Sequence, residues 1–235
     1  MIVRPIAGGF QLVTQPDHAR LARRVMERCV PLAARPRRET ILLAIGEHDC
    51  GWVEADASPS LDPASGGVVD FVKAPLSVRQ GVWPRAIAKL EGEPWAAALV
   101  AHHAWFVYGR FRTSGDPEWT TFFDAMAAAR DVRVRAVGRP LDELLADYEF
   151  LRLGDLISLV FCNLEREALC YSEWTVRLAG TRVVVTPDLF GGALVPFEVE
   201  AREVRGSPLH SQTELRAALA GASMVTLRGE VAAAD

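Results

Sequence analysis

The spacing of apolar and polar residues divides the chain into a long helical part and a shorter part with strand character. Five stretches place apolar residues three and four positions apart, which is the period of an amphipathic helix. They are 17–30, 37–49, 94–111, 117–137 and 141–167. The third stretch is apolar nearly all round, so we expect it to form a central helix. A further short helix is predicted within VRQGVWPRAIAKL.

The period shortens to two at both ends of the chain, as in half-buried strands. IVR and FQLV predict two short strands joined by a turn at Gly8-Gly9. Beyond residue 170, WTVRLAG-TRVVVTP predicts a hairpin, PFEVEAREV and SMVTLRGEV predict strands, and QTELRAALAG predicts a short helix. We therefore predict a mostly α fold. It would consist of a helical domain over 1–168 and a small α/β or β-rich segment over 169–235, packed on the helices.

Composition and charge narrow the classes of protein that need to be considered. Half of the 235 residues are hydrophobic and the formal net charge is −4, as in an ordinary globular protein with a full core. This charge balance attracts neither nucleic acid nor an anionic membrane, so we expect neither as a partner. The N-terminus has no long apolar run, and the four cysteines form no CxxC pair. We expect a reduced, cytoplasmic protein.

Residues 51–80 interrupt the helical pattern with a long stretch rich in proline, glycine, serine and aspartate. Loops of this length in compact domains are usually functional or disordered, and the aromatic and acidic residues here favour an ordered loop. Trp52 and Glu54 follow the pair His48-Asp49 directly. Trp52 could line a pocket or simply pack in the loop. Glu54 could transfer protons or be an ordinary exposed acid.

Several histidines and aspartates occupy positions that the apolar pattern assigns to core residues. His18 is in phase with the apolar stripe of the first helix, and His48 continues the stripe of the second. Asp155 falls where the pattern of the last helix calls for leucine. Any one of them could be a core residue satisfied by hydrogen bonds, although burying an unpaired carboxylate is costly.

A metal site would explain all of these positions together. Four helices each direct histidine or aspartate inward, and histidine nitrogen and carboxylate oxygen are ligands for zinc, iron and manganese. The candidate ligands are His18, His48, Asp49, His102, His103 and Asp155.

Four segments resemble a family of uncharacterised bacterial proteins, the domain-of-unknown-function 3891 family. They are QPDHARLA at 15–22, EHDCGWVEADASPSLDPASGGVVDF at 47–71, LVAHHAWFVYGR at 99–110 and LGDLISLVFC at 153–162. The resemblance covers most of the chain but implies little about function. The family has a single histidine where this chain has His102-His103, and that histidine aligns with His103.

The order His18, His48-Asp49, His103, Asp155 also resembles the HD-domain superfamily, more distantly. In that superfamily a helical core holds one or two metal ions through the pattern H…HD…D. The resemblance implies an HD-like helical bundle and a first metal ion held by His18, His48, Asp49 and Asp155. It implies that Asp49 bridges to a second ion, which His103 and His102 complete.

This resemblance implies a metal-dependent hydrolase of a phosphorylated small molecule, a phosphomonoester or phosphodiester. The cofactor would be one or two divalent iron, manganese or zinc ions per chain, and the residues placed in catalysis are Asp49, Trp52 and Glu54. Two alternatives stay open, an HD-type di-iron oxygenase and a non-catalytic metal-binding or sensor module. The C-terminal segment could cover the site or form the surface of a homodimer. The sequence has no glycine-rich phosphate loop.

Overall fold

The computed structural model describes residues 1–206 and 208–234 and combines helices with one large sheet. The helices are α1 Gln15–Met26, α2 Val30–Ala33, α3 Arg38–Glu47, α4 Val53–Ala57, α5 Leu76–Lys89, α6 Pro94–Val107, α7 Pro117–Val137, α8 Leu141–Cys162 and α9 Gln212–Gly221. The strands are β1 Ile2–Ile6, β2 Gly9–Val13, β3 Leu61–Asp62, β4 Gly67–Val68, β5 Leu169–Tyr171, β6 Trp174–Ala179, β7 Arg182–Thr186, β8 Val195–Arg205 and β9 Ser223–Ala233. Short 3-10 turns lie at Cys50–Trp52, Phe71–Lys73 and Gly109–Phe111.

The large sheet has seven strands in the order β1-β2-β8-β9-β7-β6-β5. Strands β7 and β9 are parallel, and the other neighbours are antiparallel. Strand β2 from the N-terminus pairs with β8 from the C-terminal part, with Leu12 opposite Arg202. Strands from both ends of the chain therefore build one sheet.

The prediction of a mostly α, HD-like bundle with a small appendage is wrong, because the chain has an α/β fold. Apolar alternation identified single strands, but the pairing of β2 with β8 joins residues nearly two hundred positions apart in sequence. Such a pairing leaves no local signal in either strand. A second, two-stranded sheet, β3-β4, lies within the stretch predicted as a loop. The division of the chain at residue 168 stays a prediction.

The main core lies where α1, α3, α6 and α8 meet one another and the sheet. The prediction of a central helix is confirmed, since every residue of α6 from Trp95 to Ala104 is buried. The stretch 51–80 is ordered and contains α4, β3, β4 and the start of α5. Within the described part of the chain, no helix combines the length and the apolar character needed to cross a bilayer.

A close backbone contact fixes the segment that follows α3. Helix α5 packs against the turn Cys50–Trp52 so tightly that a Cβ atom on Gly51 would lie 2.8 Å from the carbonyl carbon of Val82. Both sides of this contact are backbone, so neither can move away as a flexible side chain could. Glycine is therefore required at this position by packing rather than by its backbone angles.

We expect Gly51→Ala to lower the free energy of unfolding by about 1–3 kcal/mol, because the added methyl group overpacks this contact. The measurement is urea unfolding followed by tryptophan fluorescence. The control is Gly92→Ala, because nothing lies within 4 Å of a Cβ atom at that position. Equal stability of the two variants would contradict the role given to Gly51.

Candidate metal centre

Five of the six predicted ligands meet in the buried space between four elements. His18 comes from α1, His48 and Asp49 from the end of α3, His103 from α6 and Asp155 from α8. They form two groups that share His48. One group is His18, His48 and Asp49, and the other is His48, His103 and Asp155. Within each group the potential ligand atoms lie within 4.8 Å of one another. All five side chains are buried. The arrangement could hold a metal ion.

The chain positions these side chains through helix ends and close packing. Thr14 caps α1 by accepting a hydrogen bond from the backbone N–H of Asp17, and His18 follows in the first turn. On α8, Gly154 precedes Asp155 and faces α1. A Cβ atom on Gly154 would lie only 2.8 Å from Cγ of Met26 on α1. The absence of a side chain at Gly154 lets α8 approach α1 closely, and Ser158 of α8 lies 2.9 Å from Nδ1 of His18.

Each of the three histidines has its Nδ1 atom held by an oxygen atom at 2.7–3.1 Å. The pairs are His18 with Ser158 Oγ at 2.9 Å, His48 with the carbonyl of Ile45 at 2.7 Å, and His103 with the Tyr148 hydroxyl at 3.1 Å. A ring whose proton lies on Nδ1 presents the lone pair of Nε2 on its opposite side. This is the tautomer of a histidine that binds a metal ion through Nε2.

The hydrogen bonds of Ser158 are compatible with a proton on Nδ1 of His18. The Ser158 hydroxyl donates to the backbone carbonyl of Asp155 at 2.9 Å, one turn earlier in α8. Its oxygen lone pair is then left to accept a hydrogen bond from Nδ1–H of His18. For His48 the assignment is stricter, because the carbonyl of Ile45 can only accept.

The Nε2 atoms of His48 and His103 face two carboxylates at distances longer than hydrogen bonds. His48 Nε2 lies 3.5 Å from Asp49 Oδ2 and 3.5 Å from Asp155 Oδ1. It has no hydrogen-bond partner among the residues that the structure describes. His103 Nε2 lies 3.7 Å from Asp155 Oδ2. Ligands about 2.0–2.1 Å from a tetrahedral metal ion are about 3.4 Å apart, so this spacing suits ligands of one ion.

His18 differs from the other two histidines. Its Nε2 atom lies 2.7 Å from Asp49 Oδ2, which is a hydrogen-bond distance. Because a carboxylate oxygen can only accept, Nε2 of His18 is the donor in this contact. To bind an ion together with Asp49, His18 would present Nε2 without a proton and exchange this contact for a bond to the metal.

The charges at the site leave a place for a cation. Burial opposes protonation of His48, but the carboxylates of Asp49 and Asp155 outweigh it and raise its pKa to about 9. Burial also opposes ionisation of Asp155, but His48, His103 and Arg152 outweigh it and hold its pKa far below the usual range. Burial lowers the pKa of His103 to about 3. Two ionised carboxylates thus lie beside the strongly basic ring of His48, and a bound metal ion would take the place of the proton on its Nε2 atom.

His102 lies outside both groups. Its Nδ1 atom is 3.3 Å from Nη1 of Arg130 on α7, and its ring stacks on Trp105. Burial, together with the nearby guanidinium groups of Arg130 and Arg112, lowers its pKa to about 4. Its role as a ligand stays a prediction, while the neighbouring His103 points into the cluster.

Trp52 and Glu54 are also outside the two groups. Trp52 is buried and packs edge-on against Phe71, with ring centroids 6.4 Å apart. Glu54 is exposed, and its Oε2 atom lies 4.0 Å from Nε of Arg85. The contacts of Trp52 are those of a packed side chain, and the catalytic roles of both residues stay predictions.

Three residues that support the cluster were not identified from the sequence. They are Tyr148, Arg152 and Ser158, all on α8 with Asp155. Arg152 donates to Asp155 Oδ2 at 2.5 Å. Each lies three or seven positions from Asp155, so all share its helix face, and this spacing was the signal that could have found them.

A large cavity at the surface does not reach this cluster. Its volume is about 1030 Å³, and it is lined by Pro16, Asp17 and Arg20 of α1 but by none of the five clustered residues. His18 is directed to the opposite side of the same helix. Asp49, at 7% exposure, is the most exposed of the five.

A family model matches residues 1–205, and its description reads protein of unknown function (DUF3891). The chain belongs to this family. The membership predicted from the four sequence segments is thereby confirmed, whereas the HD-domain resemblance stays a prediction. The part of the chain matched to DUF3891 contains all five clustered residues and ends with the last residue of β8. Comparisons with curated proteins and with solved structures found no match.

We expect the protein, purified without a chelator, to carry a metal ion that His48→Ala loses, because His48 belongs to both groups of ligands. The measurement is metal content by inductively coupled plasma mass spectrometry, with folding checked by circular dichroism. The matched control is His210→Ala, since His210 is exposed and outside the cluster. A wild-type protein that binds no metal even after incubation with manganese, iron and zinc would contradict the site.

The two adjacent histidines of α6 should behave differently. We expect His103→Ala to reduce bound metal strongly and His102→Ala to retain it, because only His103 directs its Nε2 atom towards Asp155. Metal content per folded chain is the measurement for both variants. Loss of metal in His102→Ala with normal binding in His103→Ala would show that the ring orientations are assigned wrongly.

Proposed function

We propose that the cluster binds one or two divalent transition-metal ions and that the protein is a metal-dependent hydrolase of a phosphorylated small molecule. The observation that carries the proposal is the convergence of three histidine Nε2 atoms on two carboxylates, with every Nδ1 atom held by an oxygen. Three nitrogen and two carboxylate ligands suit iron, manganese or zinc.

The type of ligand favours a reactive metal over a purely structural one. Structural zinc sites are built mainly from cysteine thiolates, with two to four cysteines in each. This chain has four cysteines, Cys29, Cys50, Cys162 and Cys170, and none of them belongs to the two ligand groups. Histidine and carboxylate sets are the ones that leave a coordination position for water in hydrolytic enzymes.

When bound, such an ion lowers the pKa of a coordinated water molecule and draws charge from a phosphoryl group. The chain's own residues would keep the ligands in position for this chemistry. Ser158 and Tyr148 fix the rings of His18 and His103, and the edge contact between Trp83 and His103 at 5.7 Å helps to exclude bulk water.

Arg152 supports a phosphorylated substrate rather than a neutral one. It is the guanidinium group in direct contact with Asp155, and its side chain is 21% exposed, unlike the clustered residues themselves. Its Nε atom has no hydrogen-bond partner among the described residues. Guanidinium groups bind phosphate oxygens through paired N–H donors, so Arg152 could contact a phosphoryl group next to the metal ligands.

The burial of the cluster favours a second candidate, a non-catalytic metal-binding module. All five candidate ligands are less than a tenth exposed, and none of them lines the cavity of about 1030 Å³ or a smaller one of about 380 Å³. A closed coordination sphere is the usual property of a metal ion that stabilises a fold. Hydrolysis of a phosphate ester by the metal-loaded protein would distinguish the hydrolase from the non-catalytic module.

We expect the metal-loaded protein to hydrolyse p-nitrophenyl phosphate or bis(p-nitrophenyl) phosphate. Ser158→Ala should reduce kcat/KM by roughly 10- to 100-fold, because the ring of His18 loses its orienting partner. Asp49→Asn should reduce it further, and His210→Ala should match the wild type. The measurement is initial rate with manganese, iron or zinc, together with metal content for each variant.

Two results would contradict this function. Stoichiometric metal without turnover of either ester would favour the non-catalytic module. Iron that consumes oxygen in the presence of small-molecule substrates, without ester hydrolysis, would favour the oxidative alternative.

A further inference from the structure

The cavity of about 1030 Å³ lies apart from the metal ligands, between α1, α4, residues 57–60, β8, α9 and β9. It is large enough for a small organic molecule, since ligand sites usually enclose about 300–1,000 Å³. Helix α9 and the loop at 59–61 close one side, where the amide of Gln212 contacts the carbonyl of Pro59 and the N–H of Leu61.

The acidic side chains of the cavity wall already have partners. Asp56 accepts hydrogen bonds from the Met1 ammonium group and from the backbone N–H of Gln15. Asp17 accepts from Thr14 and from Arg20. These two acids are therefore compensated within the protein.

Two arginines of the wall have no such partner. Arg202 of β8 and Arg216 of α9 are exposed and line the cavity, and neither guanidinium group has an ion pair or a hydrogen bond among the described residues. Glu200, also in the wall, accepts a hydrogen bond from the Thr226 hydroxyl at 2.8 Å. With two free guanidinium groups against this one acid, the uncompensated charge of the cavity is positive.

The remaining wall is apolar. Leu12 and Leu219 line the cavity beside these arginines, and Met224, opposite Arg202 in the pairing of β8 with β9, is 57% exposed. An exposed methionine beside free arginines gives a surface with one apolar and one cationic part. A ligand matching both parts has an anionic group and a hydrocarbon body.

We propose that this cavity binds a small amphipathic anion, whose carboxylate or phosphate group is held by Arg202 and Arg216 and whose apolar part contacts Leu12, Leu219 and Met224. The site is independent of the metal centre, because it lies on the other side of α1 from His18. Its walls from α9 and β9 lie beyond residues 1–205, the range matched to the family. The inference therefore concerns this chain.

The test is isothermal titration calorimetry of the full chain with octylphosphonate, octanoate and 1-octanol, which share one hydrocarbon body. We expect octylphosphonate or octanoate to bind and octanol to bind at least about tenfold more weakly, because charged hydrogen bonds to guanidinium groups are strong. The anion that binds more tightly identifies the preferred head group.

Variants locate the binding site. The double variant Arg202→Gln, Arg216→Gln should weaken binding at least about tenfold. Arg177→Gln should not, since Arg177 is an exposed arginine of β6 outside the cavity. Ala220→Trp, which places a large ring in the cavity while keeping both arginines, should also weaken binding.

Three results would overturn the proposal. They are failure of both anions to bind the wild type, equal affinity for octanol, and unchanged anion binding in the double arginine variant. The last result would point to the metal centre or to another surface as the place where the anion binds.

Discussion

The burial of two carboxylates, Asp49 and Asp155, under four helices is the constraint on which the rest of the structure depends. An ionised carboxylate taken from water into a protein interior costs several kcal/mol unless a cation or several hydrogen bonds compensate it. Here the compensation comes from three histidines and Arg152, and each of them must arrive from a defined helix face. The packing of the helices and the chemistry of the site are therefore one problem, and a residue that disturbs either is expected to affect both.

Small residues make this compensation geometrically possible. Gly154 allows α8 to lie against α1, and Gly51 allows α5 to lie against the turn that follows Asp49. A side chain at Gly154 would push α8 away from α1 and α3 and so change distances such as the 3.5 Å between His48 Nε2 and Asp155 Oδ1. Gly154 thus acts on the site without being a ligand, whereas Gly51 fixes the turn that follows Asp49.

Sequence reasoning could locate the cluster because helix phase is a local property. His18, His48 and Asp155 each sit on an apolar face, and a polar residue on such a face needs a partner wherever the helix packs. The same reasoning could not separate His102 from His103, because α6 is buried on all sides and both positions face protein. Only the tertiary packing distinguishes them: His103 faces Asp155, whereas His102 lies beside Arg130 of α7. The sheet was missed for a related reason, since the partner of β2 is nearly two hundred residues away in sequence.

Helix α1 lies between two regions of different charge, one with buried carboxylates and one with unpaired arginines. Its inward face carries His18 against the buried carboxylate of Asp49, which needs a positive partner. Its outward face carries Asp17 and Arg20 at the wall of the large cavity, where the guanidinium groups of Arg202 and Arg216 have no acidic partner among the described residues. Because an α-helix turns by about 100° per residue, neighbouring positions such as 17 and 18 cannot face the same side. One short helix therefore faces the two regions with different residues: His18 belongs to the metal cluster, whereas Pro16, Asp17 and Arg20 line the cavity.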